Sequence, residues 1–277
     1  MIRYDVDIRL ESIGNDEARA AITTHHRDLA YSGDFFIPHH QLDATHREVR
    51  IDGVPVGVAA YTSDALTLLT LTGEAKRYDR QILERILAET GITQAYAASW
   101  DSHHVDLFGA FAAELSPQAY QFELGTTPPR DPVAGLSVRP AADSDLPYLR
   151  GTGFQDDYTV LLNNGQLRIA ELAGIRVGIG VAVPHPLNDS TVPSGSAPQA
   201  PLRTVDIGMF TNADRRHEGI GRSILALVAR EMLDTGCHPV AGCWWRNWES
   251  RRTLEAAGLT CIGTIFRLTL DPDRFTR

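Results

Sequence analysis

Two glycine–tryptophan pairs set the frame for this chain. Gly91 and Trp100 stand nine positions apart, and Gly236 and Trp245 repeat that spacing 145 residues later. Each glycine follows a helical pattern: Tyr78, Ile82, Leu83, Ile86 and Leu87 before the first, and Ile220, Ile224, Leu227, Val228 and Met232 before the second. At the same offset Ile82-Leu83 falls under Leu227-Val228. Glycine is a natural helix stop, and apolar residues at helical spacing make one buried face. The repeat therefore predicts a duplicated α/β unit. A chain of 277 residues has room for two domains of ordinary size. The Pro/Gly-rich stretch Thr126–Gly135 is the expected joint, which puts the domains at 1–128 and 129–277.

The order of elements agrees between the halves. In the second, 136–140 reads as a strand, Asp143–Leu149 as a short helix, and 167–183 as a hairpin about Ala173-Gly174. Pro184–Arg203 is rich in Pro and Ser and reads as a mobile loop. Strand 203–211, a helix, strand 238–245, helix 247–259 and strand 260–270 complete the half. The first half offers helix Asp16–Tyr31, a hairpin over 47–61 turning at Asp52-Gly53, strand 65–71, the helix stopped by Gly91, a strand up to Trp100 and a helix from Ser102.

Composition narrows the function. No apolar run approaches the ~20 residues of a membrane span, the start MIRYDVDIRLES is polar, and three cysteines at odd spacing suit neither a disulfide framework nor a metal knuckle. These features predict a cytoplasmic protein with no membrane partner. Residues 1–134 carry 11 basic and 20 acidic residues, whereas 135–277 carry 15 of each. The acidic half argues against a nucleic-acid partner and tolerates a cationic substrate.

The most chemical stretch is DRRHEGIGRS, Asp214 to Ser223. A strand that runs through a glycine turn into a helix aims backbone N–H groups and the positive dipole end outward, which favours an anion. Arg215, Arg216 and Arg222 add positive charge around Glu218. Position 224 is Ile, so there is no G-x-G-x-x-G, and Arg222 after Gly221 excludes G-K-[ST]. On spacing alone the turn is either a phosphate cradle or an ordinary tight turn.

The longer frame VDIGMFTNADRRHEGIG, 205–221, resembles the GNAT superfamily of acyl-CoA N-acyltransferases. That pattern is an acidic-Ile-Gly strand, a short turn, then Arg/Gln-x-x-Gly-x-Gly/Ala opening a helix; Arg216, Gly219 and Gly221 match its fixed places. Asn247 and Ser250, with Gly258 eleven residues past the Asn, resemble the next signature, notably in the branch that modifies protein N-termini. The resemblance implies an α/β (α+β) fold of two mixed-sheet domains with flanking helices, and acetyl-CoA as co-substrate without a metal. It implies that Arg216, His217, Glu218, Gly219, Ile220, Gly221, Arg222 and Ser223 hold the pyrophosphate. Phe210 and Thr211 would pair with the pantetheine arm, and Asn247 and Ser250 would line the thioester end. Counting back 145 from Gly219, Gly221 and Asn247 gives Glu74, Lys76 and Ser102, so the first domain is expected to be degenerate. The arrangement is similar to tandem GNAT proteins such as mycothiol synthase.

Candidate chemistry follows. Asp206 is either the base that deprotonates the amine or an orienting strand carboxylate. Relatives often carry a tyrosine acid seven residues after the Asn; here that place is Leu254, leaving Ser250 or a water. Asp156, Asp157 and Tyr158 are candidates to receive the amine, or a solvated turn. Trp244, Trp245 and Trp248 are candidate cleft walls, with core packing favoured for Trp244. The pairs His25-His26, His39-His40 and His103-His104 point about 100° apart on a helix, which argues against chelation. The expected function is acetyl transfer to the primary amine of a small molecule by a monomer or homodimer. The alternatives are a protein N-terminal acetyltransferase and a non-catalytic CoA-binding sensor.

Overall fold

The computed structural model describes residues 6–126, 130–155, 157–188 and 203–271. The chain forms strand β1 (Ile8–Ser12), helices α1 (Asn15–Arg27) and α2 (Phe36–Leu42), strands β2 (Thr45–Ile51), β3 (Val54–Tyr61) and β4 (Ala65–Leu71), helix α3 (Asp79–Thr90), strand β5 (Gln94–Ala98), helix α4 (Ser102–Phe111) and strand β6 (Ala112–Leu124). There follow β7 (Leu136–Pro140), α5 (Leu146–Thr152), α6 (Thr159–Asn163), β8 (Leu167–Leu172), β9 (Ile175–Pro184), β10 (Arg203–Thr211), α7 (Ile220–Asp234), β11 (Cys237–Trp244), α8 (Trp248–Ala256) and β12 (Leu259–Leu270).

Local sequence explains most of these elements. Both hairpins turn on a non-glycine residue at positive φ followed by glycine, Asp52-Gly53 (51° and 81°) and Ala173-Gly174 (51° and 76°). That pair of left-handed residues matches the twist of the flanking strands. Gly91 ends α3 at φ 69°. The helix expected over 16–31 stops at Arg27, and α2 is a further short helix that lacked a clear period. The expected mobile loop lies largely outside the described residues, as do 127–129 of the joint.

The chain divides into two compact units, residues 1–119 with 263–277, and residues 120–262. The single cut expected at 128/129 is not where they part. In the first unit the strands lie in the order β1-β2-β3-β4-β5-β12, and β12 supplies the antiparallel partner of β5 from Ile265↔Ala98 to Thr269↔Gln94. In the second unit the order is β7-β8-β9-β10-β11-β6. The last strand in each unit's order therefore comes from the other half of the sequence.

The first unit packs α3 and α4 on its sheet through Leu83, Ile86, Phe108 and Phe111, joined by Leu268 and Leu270 of β12. In the second, α7 and α8 bury Ile224, Val228 and Leu254 with Phe122 of β6. A separate cluster of Leu149, Tyr158, Ile169 and Ile179 lies under α5 and α6. Each fully buried side chain of this size contributes roughly 1.5–3 kcal/mol.

Candidate active site

Two strands of the second unit part company and open a groove. β10 and β11 pair in parallel only from Arg203↔Cys237 to Asp206↔Val240, while β10 continues to pair with β9 as far as Thr211↔Gly178. Beyond Asp206 one edge of β10 is thus unpaired by strand. The Asn212 N–H donates to the Val177 carbonyl (3.0 Å), and the carbonyl of Phe210 lies against Gly178. Successive residues of a strand turn their backbone groups to opposite edges. Met209 and Thr211 therefore face the open side, and Phe210 faces β9.

Of the two residues expected to pair with the pantetheine arm, Thr211 has its backbone groups on the open edge, whereas those of Phe210 face β9; Met209 is the second residue on the open edge. Strand alternation back from Thr211 was the signal for Met209.

The turn after β10 ends at α7. His217 and Gly219 sit at φ 66° and 81°, which turns the chain sharply into α7, whose first residues Ile220, Gly221 and Arg222 line the groove. The first hydrogen bond of α7 runs from the Ser223 N–H to the Gly219 carbonyl (3.2 Å). The N–H groups of Ile220, Gly221 and Arg222 have no partner within the helix. A Cβ on Gly221 would stand 3.1 Å from Met209 Sδ and Thr211 Oγ1 and 3.3 Å from Thr253 Cγ2. Any larger residue would make these side chains give way by a few tenths of an ångström, so glycine suits the close approach of the helix to β10.

The resulting groove has a volume of about 580 Å3. Its walls are β10 at Met209–Thr211, the turn from Arg215 to Arg222, and the α8 face Glu249, Arg252, Thr253 and Ala256 beyond Asn247 and Ser250. Of the expected phosphate residues, the structure gathers Arg216, His217, Gly219, Ile220, Gly221 and Arg222 there. Glu218 instead pairs with Arg215 at 2.8 Å, and that guanidinium holds its carboxyl below the usual range. Ser223 is buried: its hydroxyl donates to the Gly219 carbonyl (2.8 Å) and accepts from the Val133 N–H (3.0 Å). It braces the turn rather than facing the groove. Arg222 Nη1 donates to the Asp131 carbonyl at 2.7 Å.

At the other end, Asn247 caps α8, its Oδ1 accepting the Ser250 N–H at 3.0 Å. Asp206 is 8% exposed at the last paired position, the closed end of the divergence between the strands. Leu254 is a core residue.

The acceptor candidates fare differently. Asp157 is exposed and accepts the Thr159 N–H (2.8 Å), starting α6. Tyr158 is 2% exposed, with its hydroxyl bonded to Thr152 Oγ1 (2.8 Å) and accepting the Gln155 N–H (3.0 Å). Tyr158 is a core residue, so its assignment to substrate is corrected. Asp156 lies outside the described residues. Trp244 and Trp248 are 54% and 53% exposed, which overturns core packing for Trp244. Arg252 and Glu249 escaped the sequence reading, although their spacing with Thr253 and Ala256 marks one helical face.

In the first unit the corresponding place is filled. β4 and β5 pair in parallel at Ala65↔Gln94 and Leu66↔Ala95. Three residues past the last pair, as Met209 is past Asp206, the N–H and carbonyl of Leu69 both lie 3.1 Å from His104 Nε2. Asp101 Oδ2 accepts from His104 Nδ1 (2.6 Å) and His25 Nε2 (2.8 Å). Burial alone would raise the Asp101 carboxyl, but hydrogen bonds from His104 and His25 hold it well below the carboxylate range. Spacing within each histidine pair could not show this cluster, because the fold takes one member from each of two pairs. The three ligand atoms lie within 4.8 Å of one another, yet both nitrogens stand at hydrogen-bond distance from one oxygen. The Nε2 atom can bond one of the two Leu69 groups at a time, and the ring occupies the strand edge that the second unit leaves open.

No protein-family model matches the sequence, and no curated protein matches it. Solved structures do. A GNAT-family acetyltransferase from Colwellia psychrerythraea aligns with a TM-score of 0.79 at 12% identity, over 96% of this chain and 100% of the other. A GCN5-related N-acetyltransferase from Sphaerobacter thermophilus gives 0.58 at 11% identity over 95% of each chain. A tandem GNAT protein from the clavulanic acid biosynthesis pathway gives 0.55 at 12% identity, over 96% of this chain and 98% of the other. With a diverging strand pair and following helix in each unit, this chain has the GNAT acetyltransferase fold in its tandem form.

Proposed function

We propose that the protein is an N-acetyltransferase that moves the acetyl group of acetyl-CoA to the primary amine of a small molecule, using the second unit alone. One observation carries this reading: the open edge of β10 meets the uncapped N-terminus of α7 at a glycine whose Cβ would meet Met209, Thr211 and Thr253. A diphosphate fits the N–H groups of Ile220, Gly221 and Arg222, helped by the helix dipole and by Arg216. Met209 and Thr211 offer their backbone groups to the amides of the pantetheine arm, as a neighbouring strand would.

Transfer requires a neutral amine. Its nitrogen lone pair attacks the thioester carbonyl carbon, the C–S bond breaks, and the leaving sulfur takes a proton while the new ammonium nitrogen loses one. Asp206, at the closed end of the divergence, is the base in this reading, reached directly or through a water. Ser250 holds the leaving end of the groove, with its backbone fixed by the Asn247 cap. The first unit, with His104 on its strand edge, binds no cofactor.

Acetyl-CoA should raise the melting temperature of the protein, and Gly221→Asp, which also crowds Met209, Thr211 and Thr253 and should lower the apo melting temperature, should remove that rise while circular dichroism shows the variant folded. Absence of any rise in the wild-type protein sinks the proposal. CoA release across a panel of small amines and free-N-terminal peptides then separates the small-molecule reading from modification of protein N-termini. A second reading, CoA binding without turnover, is favoured by Leu254, whose burial leaves no acid at that place; binding with no CoA release from any amine would support it.

A further inference from the structure

Four arginines line the groove: Arg215, Arg216, Arg222 and Arg252. Two of them are already engaged. Arg215 is paired with Glu218, and Arg222 donates to the Asp131 carbonyl. Arg216 and Arg252 have no ion pair among the described residues. Arg216 belongs to the turn before α7, beside the helix N–H groups. Arg252 is on the opposite wall.

The direction of Arg252 follows from the packing of α8. Thr253 packs against the first turn of α7, its Cγ2 lying 3.3 Å from where a Cβ on Gly221 would stand. Residues 249, 252, 253 and 256 line the groove, the spacing of one helical face. Arg251, the neighbour, turns away: its Nε donates to Glu255 (3.0 Å) and its guanidinium lies 4.4 Å from the Tyr120 ring centroid. One of two consecutive arginines is thus tied down outside the groove; the other lines it beside Glu249, with which it makes no ion pair among the described residues.

CoA carries two separate phosphate groups, the diphosphate bridge and a phosphomonoester on the ribose 3′ oxygen. The α7 N-terminus and Arg216 serve the first. We infer that Arg252 recognises the second, so that the groove selects CoA over its 3′-dephosphorylated form; this rests on the acetyl-CoA reading above. A guanidinium suits the task because its planar fork makes two parallel hydrogen bonds to a phosphate.

Isothermal titration of the whole chain with CoA and with dephospho-CoA tests it. Wild-type protein should bind CoA roughly tenfold or more tightly than dephospho-CoA, the order of a charged hydrogen-bond pair. Arg252→Ala should weaken CoA by about that factor and leave dephospho-CoA within about twofold, abolishing discrimination. Arg216→Ala should weaken both ligands alike. Circular dichroism checks that the variants fold, and Arg252→Gln, which keeps the stem, should repeat the Ala result. Equal affinity of wild-type protein for the two ligands overturns the inference, as does an Arg252→Ala variant that weakens both equally or neither. If wild-type protein binds neither ligand, the reading of the groove itself fails.

Discussion

Gly221, Asp206 and Leu254 show how differently single residues bear on a site. Gly221 was legible in the sequence, since two glycines between a strand and a helix announce a close approach. What that spacing left open is whether the turn packs closely on its neighbours, and the structure sets Gly221 against Met209, Thr211 and Thr253. Asp206 was legible as a strand carboxylate, and its place at the end of the β10–β11 pairing is what makes it a candidate base. Replacing it with asparagine should lower kcat/KM about 100-fold or more, the usual contribution of a general base. The rising limb of the pH–rate profile should disappear with it; a profile unchanged in shape would reduce Asp206 to a positioning role. Leu254 stands in the second-unit core, so Leu254→Tyr should not raise kcat. It should instead cost about 1–3 kcal/mol by overpacking, read as a lower denaturation midpoint. Tyr158 was misread for a physical reason: a lone Tyr after two aspartates looks solvated until a hydroxyl partner such as Thr152 is found in space.

At the scale of elements, helices and hairpins followed local pattern, whereas ties between them did not. Asp145 is an example. From the turn before α5 its fully buried carboxylate meets Arg139 of β7 (2.7 Å) and Arg176 of β9 (2.9 Å), and it accepts the Ala142 N–H at 3.0 Å. The hydrogen bond from Arg139 dominates and lowers its pKa from 3.8 to about 2. A depressed carboxyl pKa stabilises the fold above the unfolded value and is lost as pH falls through the folded one. Stability should therefore hold above about pH 4 and drop by roughly 2 kcal/mol as pH approaches 2. Asp145→Asn should be destabilised by a similar amount at pH 7 and lose that step. Denaturant melts at a series of pH values measure both. No spacing rule brings residues 139, 145 and 176 together; the hairpin and the strand order do. The groove-facing side of α8 is the intermediate case. Its 249, 252, 253 and 256 spacing was present in the sequence, but which side faces α7 was settled by Thr253 against Gly221.

For the whole molecule, the units cross the midpoint of the sequence. Phe122, in a first-half strand, is fully buried in the second-unit core, and Leu268 and Leu270, near the C-terminus, are buried in the first-unit core. Cutting at the apparent linker should thus cripple both halves. A fragment of residues 129–277 loses Phe122, and loss of one such aromatic alone costs about 3–5 kcal/mol. Neither that fragment nor 1–128 should melt cooperatively by circular dichroism, and 129–277 should not bind acetyl-CoA; a cooperative melt of either would contradict the strand assignment. The sequence by itself determined that the chain is a repeated α/β unit, that only the second copy has glycines at the turn into its central helix, and where most helices and hairpins begin and end. Those are properties of period, turn residues and helix stops, which act over a few neighbours. Tertiary structure decided which strand closes each sheet, that His104 occupies the strand edge of the first unit, and that Tyr158 is buried while Trp244 is not. The physical reason is that alternation makes a strand without choosing its partner. A side chain's surroundings are fixed only when elements far apart in sequence pack together.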